Sequence, residues 1–463
     1  MSAVLEDTTN TVIAELRSVF KGDLLAPDDP RYDSARQVYN AMIDRHPALI
    51  ARCADADDVA AAVKSARKHD MTVTVRGGGH NAAGSSVWDD ALVIDLGEMR
   101  NVLVDKAAQT IRAEGGCTWA DVDRAGHPQG LSVPSGFIAS TGVGGLTLGG
   151  GLGYLTRGCG LTIDNLLEVA IVLADGSKVT ANAEEHSDLY WAVRGGGGNF
   201  GVVTSFLFRA HPVTNVYGGP MLWPIERSME IMRVFDDMIE HAPDALGGFF
   251  AFLTVPPVDP FPAEWQMHKV CGVVWCYDGP PAEAEKLLAP VRAMGPIIDF
   301  TGPIPWPAMQ SMFDPLYPAG MQWYWKADFF GALTETTMAL HAKYGEQLPT
   351  PFSTMHLYPV NGKAGRVAAD ATAWSYRDAK YGAVMVGVNP DPAANEQMTA
   401  WARDYWLALH PYSLGGAYVN MMMEEGDERV RDAYRGNYAR LAKIKARYDP
   451  TNFFHVNQNI QPA

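Results

Sequence analysis

Basic residues, cysteines and long apolar runs are all scarce in this 463-residue chain, and each scarcity argues against a class of function. Lys plus Arg number 37 against 53 Asp plus Glu, a net charge of −16. That surplus repels phosphate backbones and anionic lipid, so neither nucleic acid nor a membrane surface is an expected partner. No apolar run approaches the roughly 20 residues of a membrane span. The opening MSAVLEDTTNTVIAEL lacks the basic end and apolar stretch of a secretory signal. A soluble, cytoplasmic protein is expected. Cys53, Cys117, Cys159, Cys271 and Cys276 are odd in number and scattered, which predicts buried free thiols rather than a disulfide framework. Cys271 and Cys276 suit no common zinc spacing, and no HExxH, His cluster or acidic loop argues for a metal. Walker A and G-x-S-x-G motifs are also missing, which leaves ATP hydrolysis and α/β-hydrolase chemistry without support.

What is abundant is apolar material and glycine. Hydrophobic residues make up 47% and charged ones 19%, enough for a large core in two or three domains of about 150 residues each. The 45 glycines cluster as RGGGH at 76–80, GVGGLTLGGGLG at 142–153 and RGGGGNFG at 194–201. Consecutive glycines carry an entropic cost, and three such clusters point to backbone N–H groups approaching a phosphate-bearing ligand. Gly196, Gly198 and Gly201 formally match G-x-G-x-x-G. That fingerprint should follow a strand and open a helix; here SDLYWAVRG reads as a helix before it and GVVTSFLFRA as a strand after it, so a nicotinamide site is rejected.

The remaining pattern is mixed. VAAAVKSARKHD after Asp57-Asp58 reads as a helix, MTVTVR as a strand running into GGGH, and LLEVAIVLADGSKVTA as a hairpin turning at Asp175-Gly176. From about 213 to 415 the chain turns rich in Pro, Trp, Tyr, Phe and Met, with strands such as KVCGVVWCYDG, MQWYWKADFF and TMHLYPVNG, and helices such as NEQMTAWARDYWLALH. RVRDAYRGNYARLAKIKARY reads as one further helix.

RGGGHNAAG, PSGFIASTGVGGLTLGGGLGYLTRGCGLTIDN, DLYWAVRGGGGNFGVV and the ending RYDPTNFFHVNQNI together resemble the berberine bridge enzyme-like flavoproteins of the vanillyl-alcohol oxidase superfamily. The resemblance runs from about residue 30 to 462 and rests on four motifs in order. It implies an α+β fold with an FAD-binding domain (1–212), a substrate domain of antiparallel strands backed by helices (213–415) and a C-terminal segment (416–463) returning to the FAD domain. It implies a covalent bond from His80 to the flavin 8α-methyl, with Gly77, Gly78 and Gly79 at the pyrophosphate. Cofactor contact extends by the same likeness to Arg76, Asn81, Thr141, Gly142, Gly144, Gly145, Val203, Asn457 and Asn459. Some members carry a second flavin link through a cysteine; Ile138 occupies that position here, so a single tether is expected. Gly136, flanking the oxygen path in relatives, favours O2 as acceptor.

The catalytic pattern departs from the family. Where many relatives read Y-x-N-Y, this chain has Tyr418-Val419-Asn420-Met421; where they read R-K-Y-G-L, it has Arg157-Gly158-Cys159-Gly160-Leu161. Hydride removal from an alcohol carbon needs a base for the hydroxyl proton. Tyr358-Pro359 of TMHLYPVNG resembles the family's substrate-domain Y-P segment, whose tyrosine faces the flavin, and His356, two residues earlier, falls on the same strand face; these are the first candidates. Tyr324 with Lys326 comes second, and Cys159 could act only with a lowered pKa. Tyr418 is assigned a structural role by strand parity. A flavin oxidase acting on a C–H next to O or N of an apolar or aromatic small molecule is the leading reading. A dehydrogenase with another acceptor, or a flavin-holding binding protein without turnover, are the alternatives.

Overall fold

A computed structural model describes residues 3–463. Three sheets organise the chain. The first runs Asp23–Leu25, Leu49–Arg52, Leu92–Asp95, Val73–Arg76, the last three parallel. Helix Ala56–Lys68 begins where Asp55 accepts from the Asp57 and Asp58 N–H groups and ends on Arg67 and Lys68, opposing its dipole at both ends. Its Val59, Val63 and Ala66 share one core with Leu49, Leu92 and Ile94. The second sheet is antiparallel, Val102–Asp105, Thr110–Glu114, Val202–Arg209, Leu166–Val172, Lys178–Asn182. The turn joining its last two strands is held by Asp175, which accepts from Ser177 N at 2.8 Å.

The third sheet has eight antiparallel strands. Seven lie in the order Ile298–Asp299, Asn215–Pro224, Lys269–Tyr277, Leu246–Thr254, Thr354–Pro359, Tyr381–Asn389, Gln322–Phe330. Period-two alternation divides its side chains between two cores. Phe250, Phe252, Trp275, Met355, Leu357, Tyr324 and Met385 pack against Phe235 of helix Ser228–His241 and Trp401 and Tyr405 of helix Asn395–Leu409. Phe249, Ala251, Val274, Tyr358, Val384, Val386 and Trp323 face the opposite way, into the core that holds Val143, Leu148 and Phe200 of the glycine segments. This front face becomes one wall of the site.

All five cysteines are buried and free. The helix expected over 429–448 is two, Asp427–Tyr434 and Tyr438–Tyr448. The break falls at Arg435, whose φ is +47° and whose guanidinium lies 3.6 Å over the Tyr376 ring and pairs with Asp378 at 2.6 Å. Among the described residues no helix is long and apolar enough to cross a membrane.

Candidate functional site

The three glycine segments and the front of the large sheet enclose a cavity of about 910 Å³, near the upper end of the ligand-pocket range. Glycine is required where the loops meet. A Cβ on Gly78 would stand 2.4 Å from Gly142 N, and a Cβ on Gly142 equally close to Gly78 N, so main chain touches main chain. At Gly145 and Gly198 a Cβ would meet nothing within 4 Å; both border the cavity, and a side chain there would project into open space. The result is a cradle walled by backbone.

Gly77, Gly78, Gly79, His80, Asn81, Gly136, Thr141, Gly142, Gly144, Gly145, Val203 and Asn457 line this cavity. Arg76 does not. Its guanidinium turns back to Asp95, 2.6 Å away, and to the Ala35 carbonyl, anchoring the strand end from which the His80 loop departs. Asn459 also lies outside the lining. Asn457 donates to the Phe454 carbonyl at 3.0 Å while its buried Oδ1 has no hydrogen-bond partner.

His80 stacks on Tyr39 with ring centroids 4.0 Å apart and planes at 19°. Its Nε2 is 3.2 Å from Ser140 Oγ. Burial lowers its pKa to about 4, so the imidazole is neutral near pH 7 and keeps a nucleophilic nitrogen. Tyr39 lies 41 residues upstream of His80, with no sequence signal to link them; the fold alone joins them. Ile138 lines the cavity, and no cysteine does. Cys159 is 6% exposed in the core outside that lining, and burial pushes its thiol up to about 12, where it stays protonated.

The opposite wall is aromatic. Phe137 stacks on Tyr358 at 4.2 Å and meets Phe249 at 5.2 Å, while Trp323 lies 5.6 Å from Tyr317 and 6.0 Å from Trp325. Because Trp323 and Trp325 point to the cavity, Tyr324 and Lys326 between and beyond them point behind the sheet. There Tyr324 Oη accepts from Arg403 Nε at 2.8 Å and Lys326 pairs with Glu425 at 2.9 Å. Strand parity therefore removes the second candidate pair from the cavity.

The first pair stays and gains a third member. Thr354 Oγ1 donates to the Phe252 carbonyl at 2.6 Å, so in its 2.9 Å contact with His356 Nε2 the threonine oxygen accepts. Nε2 consequently carries the ring proton, and Nδ1 accepts from the Tyr358 hydroxyl 2.5 Å away. Burial lowers His356 to about 3 and raises Tyr358, so both are neutral. Thr354 sits two residues before His356, and the parity that paired His356 with Tyr358 would have included it.

Tyr418, expected on a strand, instead precedes the 3₁₀ turn Val419–Met421, so period-two parity does not apply. Tyr418, Val419, Asn420 and Met421 all border the cavity. Tyr418 Oη accepts from Gly151 N and Asn420 Nδ2, each at 2.8 Å, and Asn420 also donates to the carbonyls of Gly145 and Leu146. Burial raises the phenol to about 12. The segment fastens the glycine helix Val143–Gly149 in place.

No Asp, Glu, Lys or Arg lines the cavity among the described residues. A cradle walled by glycine main chain, an unpartnered Asn457 oxygen and an aromatic wall suit a dinucleotide cofactor. They mark the class of cofactor-binding proteins. Residues 47–182 match the family model described as FAD binding domain, and residues 417–461 the one described as berberine and berberine like. The FAD-linked oxidoreductase YgaK of Bacillus subtilis (strain 168) is 32% identical over 95% of this chain and 97% of its own length. The FAD-linked oxidoreductase pgmH of Aspergillus terreus is 31% identical over 97% and 96%. The crystal structure of 6-hydroxy-D-nicotine oxidase from Arthrobacter nicotinovorans superposes with a TM-score of 0.86 at 25% identity, covering 96% of this chain and 98% of that one. The chain belongs to the berberine bridge enzyme-like FAD-linked oxidoreductases, and it binds FAD.

Proposed function

We propose that the protein is an oxidase that carries FAD on His80 and removes a hydride from a C–H next to O or N of a small, uncharged organic molecule. FAD supplies the two-electron acceptor, and O2 then takes both electrons with two protons to give H2O2. The observation that carries the reading is that Tyr358 and His356 face the same cavity as the His80 loop, in a hydrogen-bonded run fixed by Thr354.

The chain's own groups divide the work. Tyr358 donates its proton to His356 Nδ1, leaving the phenolic lone pairs free to accept from a substrate O–H or N–H. As the substrate proton passes to Tyr358 Oη, the phenolic proton passes to Nδ1, and Thr354 holds the ring through Nε2. Phe137 and Phe249 exclude water from the exchange. The neutral His80 nitrogen is suited to bond formation at the flavin 8α-methyl, and Ile138 leaves that bond as the single tether.

Absorbance spectra before and after acid precipitation test the tether. Yellow colour should stay with the wild-type pellet and leave a His80→Ala variant; colour released from both would overturn it. Rapid reoxidation of the dithionite-reduced protein in air would support O2 as acceptor, and slow reoxidation would replace it with another.

A further inference from the structure

The aromatic wall continues outward into an apolar rim that the proton-transfer chemistry leaves unused. Among the described residues eight large hydrophobic side chains are exposed, and three of them border this cavity. Val258 (50%), Met267 (51%) and Phe352 (38%) border the cavity mouth, and Phe300 (39%) packs at 5.5 Å on Phe261, which also borders it. Three of eight around one cavity, with a fourth packed on its lining, form a patch, unlike the scattered exposed hydrophobics of ordinary surfaces. Met267 is held outward by its backbone. Its φ is +63°, an unusual region for methionine, and its N–H donates to the Val255 carbonyl at 2.9 Å. Leu253, Pro256 and Val386 border the same cavity, and among the described residues no charged side chain lines it.

From this continuity we infer that the mouth is a binding subsite for an apolar tail: the substrate is an uncharged, elongated molecule whose hydrogen-bonding head lies at Tyr358 and whose hydrocarbon end lies among Val258, Met267 and Phe352. A free sugar would place hydroxyls against a rim with few partners for them, and a charged tail would meet no counter-charge in the lining. The inference rests on the proposed reaction for the position of the head group alone.

The test is calorimetric titration of the flavin-loaded protein, under nitrogen, with 4-alkylphenols from methyl to octyl. Burying each added methylene should tighten binding two- to fourfold until the chain passes the rim, after which affinity should level. Met267→Glu and Phe352→Ser, made separately, should each flatten the series. A flat series in the wild type, or one equally steep in both variants, would overturn the subsite. So would cellotriose binding tighter than the octyl compound. Binding of the wild type, but of neither variant, to phosphatidylcholine vesicles would reassign the rim to a membrane surface. None of these readouts uses flavin reduction, so the subsite can fail while the redox reading stands, and the reverse.

Discussion

Replacing Lys445 by Met should loosen the cofactor wall from behind. Lys445 and Asp449 are both 0% exposed and pair at 2.7 Å, one helical turn apart. The Lys445 ammonium also donates to the carbonyls of Asn199 at 2.6 Å and Phe454 at 2.9 Å. Asn199 in turn donates to the Gln458 carbonyl and accepts from Ile460 N, so one buried cation ties the third glycine loop to the C-terminal segment carrying Asn457. Burial lowers the Lys445 pKa, while Asp449 raises it. Removing one partner of a buried pair leaves an uncompensated charge and costs about 3–5 kcal/mol. Unfolding entropy of about 2.1 cal/mol/K per residue gives about 1 kcal/mol/K over 463 residues, so the melting temperature should fall by about 3–5 °C. The flavin-to-protein ratio should fall with it, because Gly197, Gly198, Asn199 and Asn457 all border the cavity. Lys445→Met with Asp449→Asn removes both charges and should recover part of the loss, although the two carbonyls still lack a donor. Scanning calorimetry and the flavin-to-protein absorbance ratio read both effects. A single variant within 1 °C of wild type at full flavin content would refute the assignment, as would a double variant that melts lower than the single one.

Tyr358→Phe should slow anaerobic flavin reduction by about 10²–10⁴-fold in stopped-flow measurements with a competent substrate, while Tyr324→Phe, behind the sheet, should leave the rate unchanged. Gly78→Ala drives a Cβ into Gly142 N and should lower both melting temperature and flavin content. Gly145→Ala meets open space and should melt no lower, gaining up to about 1 kcal/mol of helix propensity, yet carry less flavin. Stability should fall on acidification from pH 6.5 toward 4. His341 and His356, lowered to about 3, and His211, lowered to about 4, stay unprotonated in the fold while the unfolded chain takes up protons. Asp123, raised to about 7, opposes one of the three over this window, and Asp278 and Asp314, raised by burial, oppose in the same sense. His341→Gln should reduce the slope by up to about 1.4 kcal/mol per pH unit; an unchanged slope in denaturant titrations would refute its buried neutrality.

The elements flanking the glycine clusters were legible because each has its own local signal. Asp-rich residues open the helix at 56, alternation ends in GGGH, and Asp-Gly turns the hairpin. The large sheet was legible as strands but not as faces. Both of its sides are buried, so Trp323, Tyr324, Trp325 and Lys326 show no polar–apolar alternation to say which side meets the helices. Helix Asn395–Leu409 decides the matter, and it lies about 70 residues further along the chain. His356 could be placed beside Tyr358, itself picked out by the family likeness, because Thr354–Pro359 is a regular strand. Tyr418 was misplaced by the same rule because Val419–Met421 is a 3₁₀ turn. Contacts made only by tertiary structure, such as Tyr39 on His80, had no sequence signal at all.

The glycine clusters and the missing cavity charge are two sides of one solution. FAD brings a pyrophosphate with negative charge into a chain whose net charge is already −16, yet no Lys or Arg lines the cavity among the described residues. The nearby cations are committed elsewhere: Arg76 to Asp95, Arg157 to the carbonyls of Ile239 and Leu246, Lys445 to Asp449. Charge that is already paired inside the frame cannot be drawn toward a ligand without breaking the frame. Backbone N–H groups carry no such commitment where the chain lacks side chains, and they add partial positive charge without a counter-ion. Reaching a phosphate with them requires loops that approach as closely as Gly78 and Gly142 do, and at 2.4 Å from a neighbouring nitrogen even one methyl group is too many. The same neutrality holds on the facing wall, where the Tyr–His pair is uncharged at rest and is the group the proposed reaction uses to move a proton.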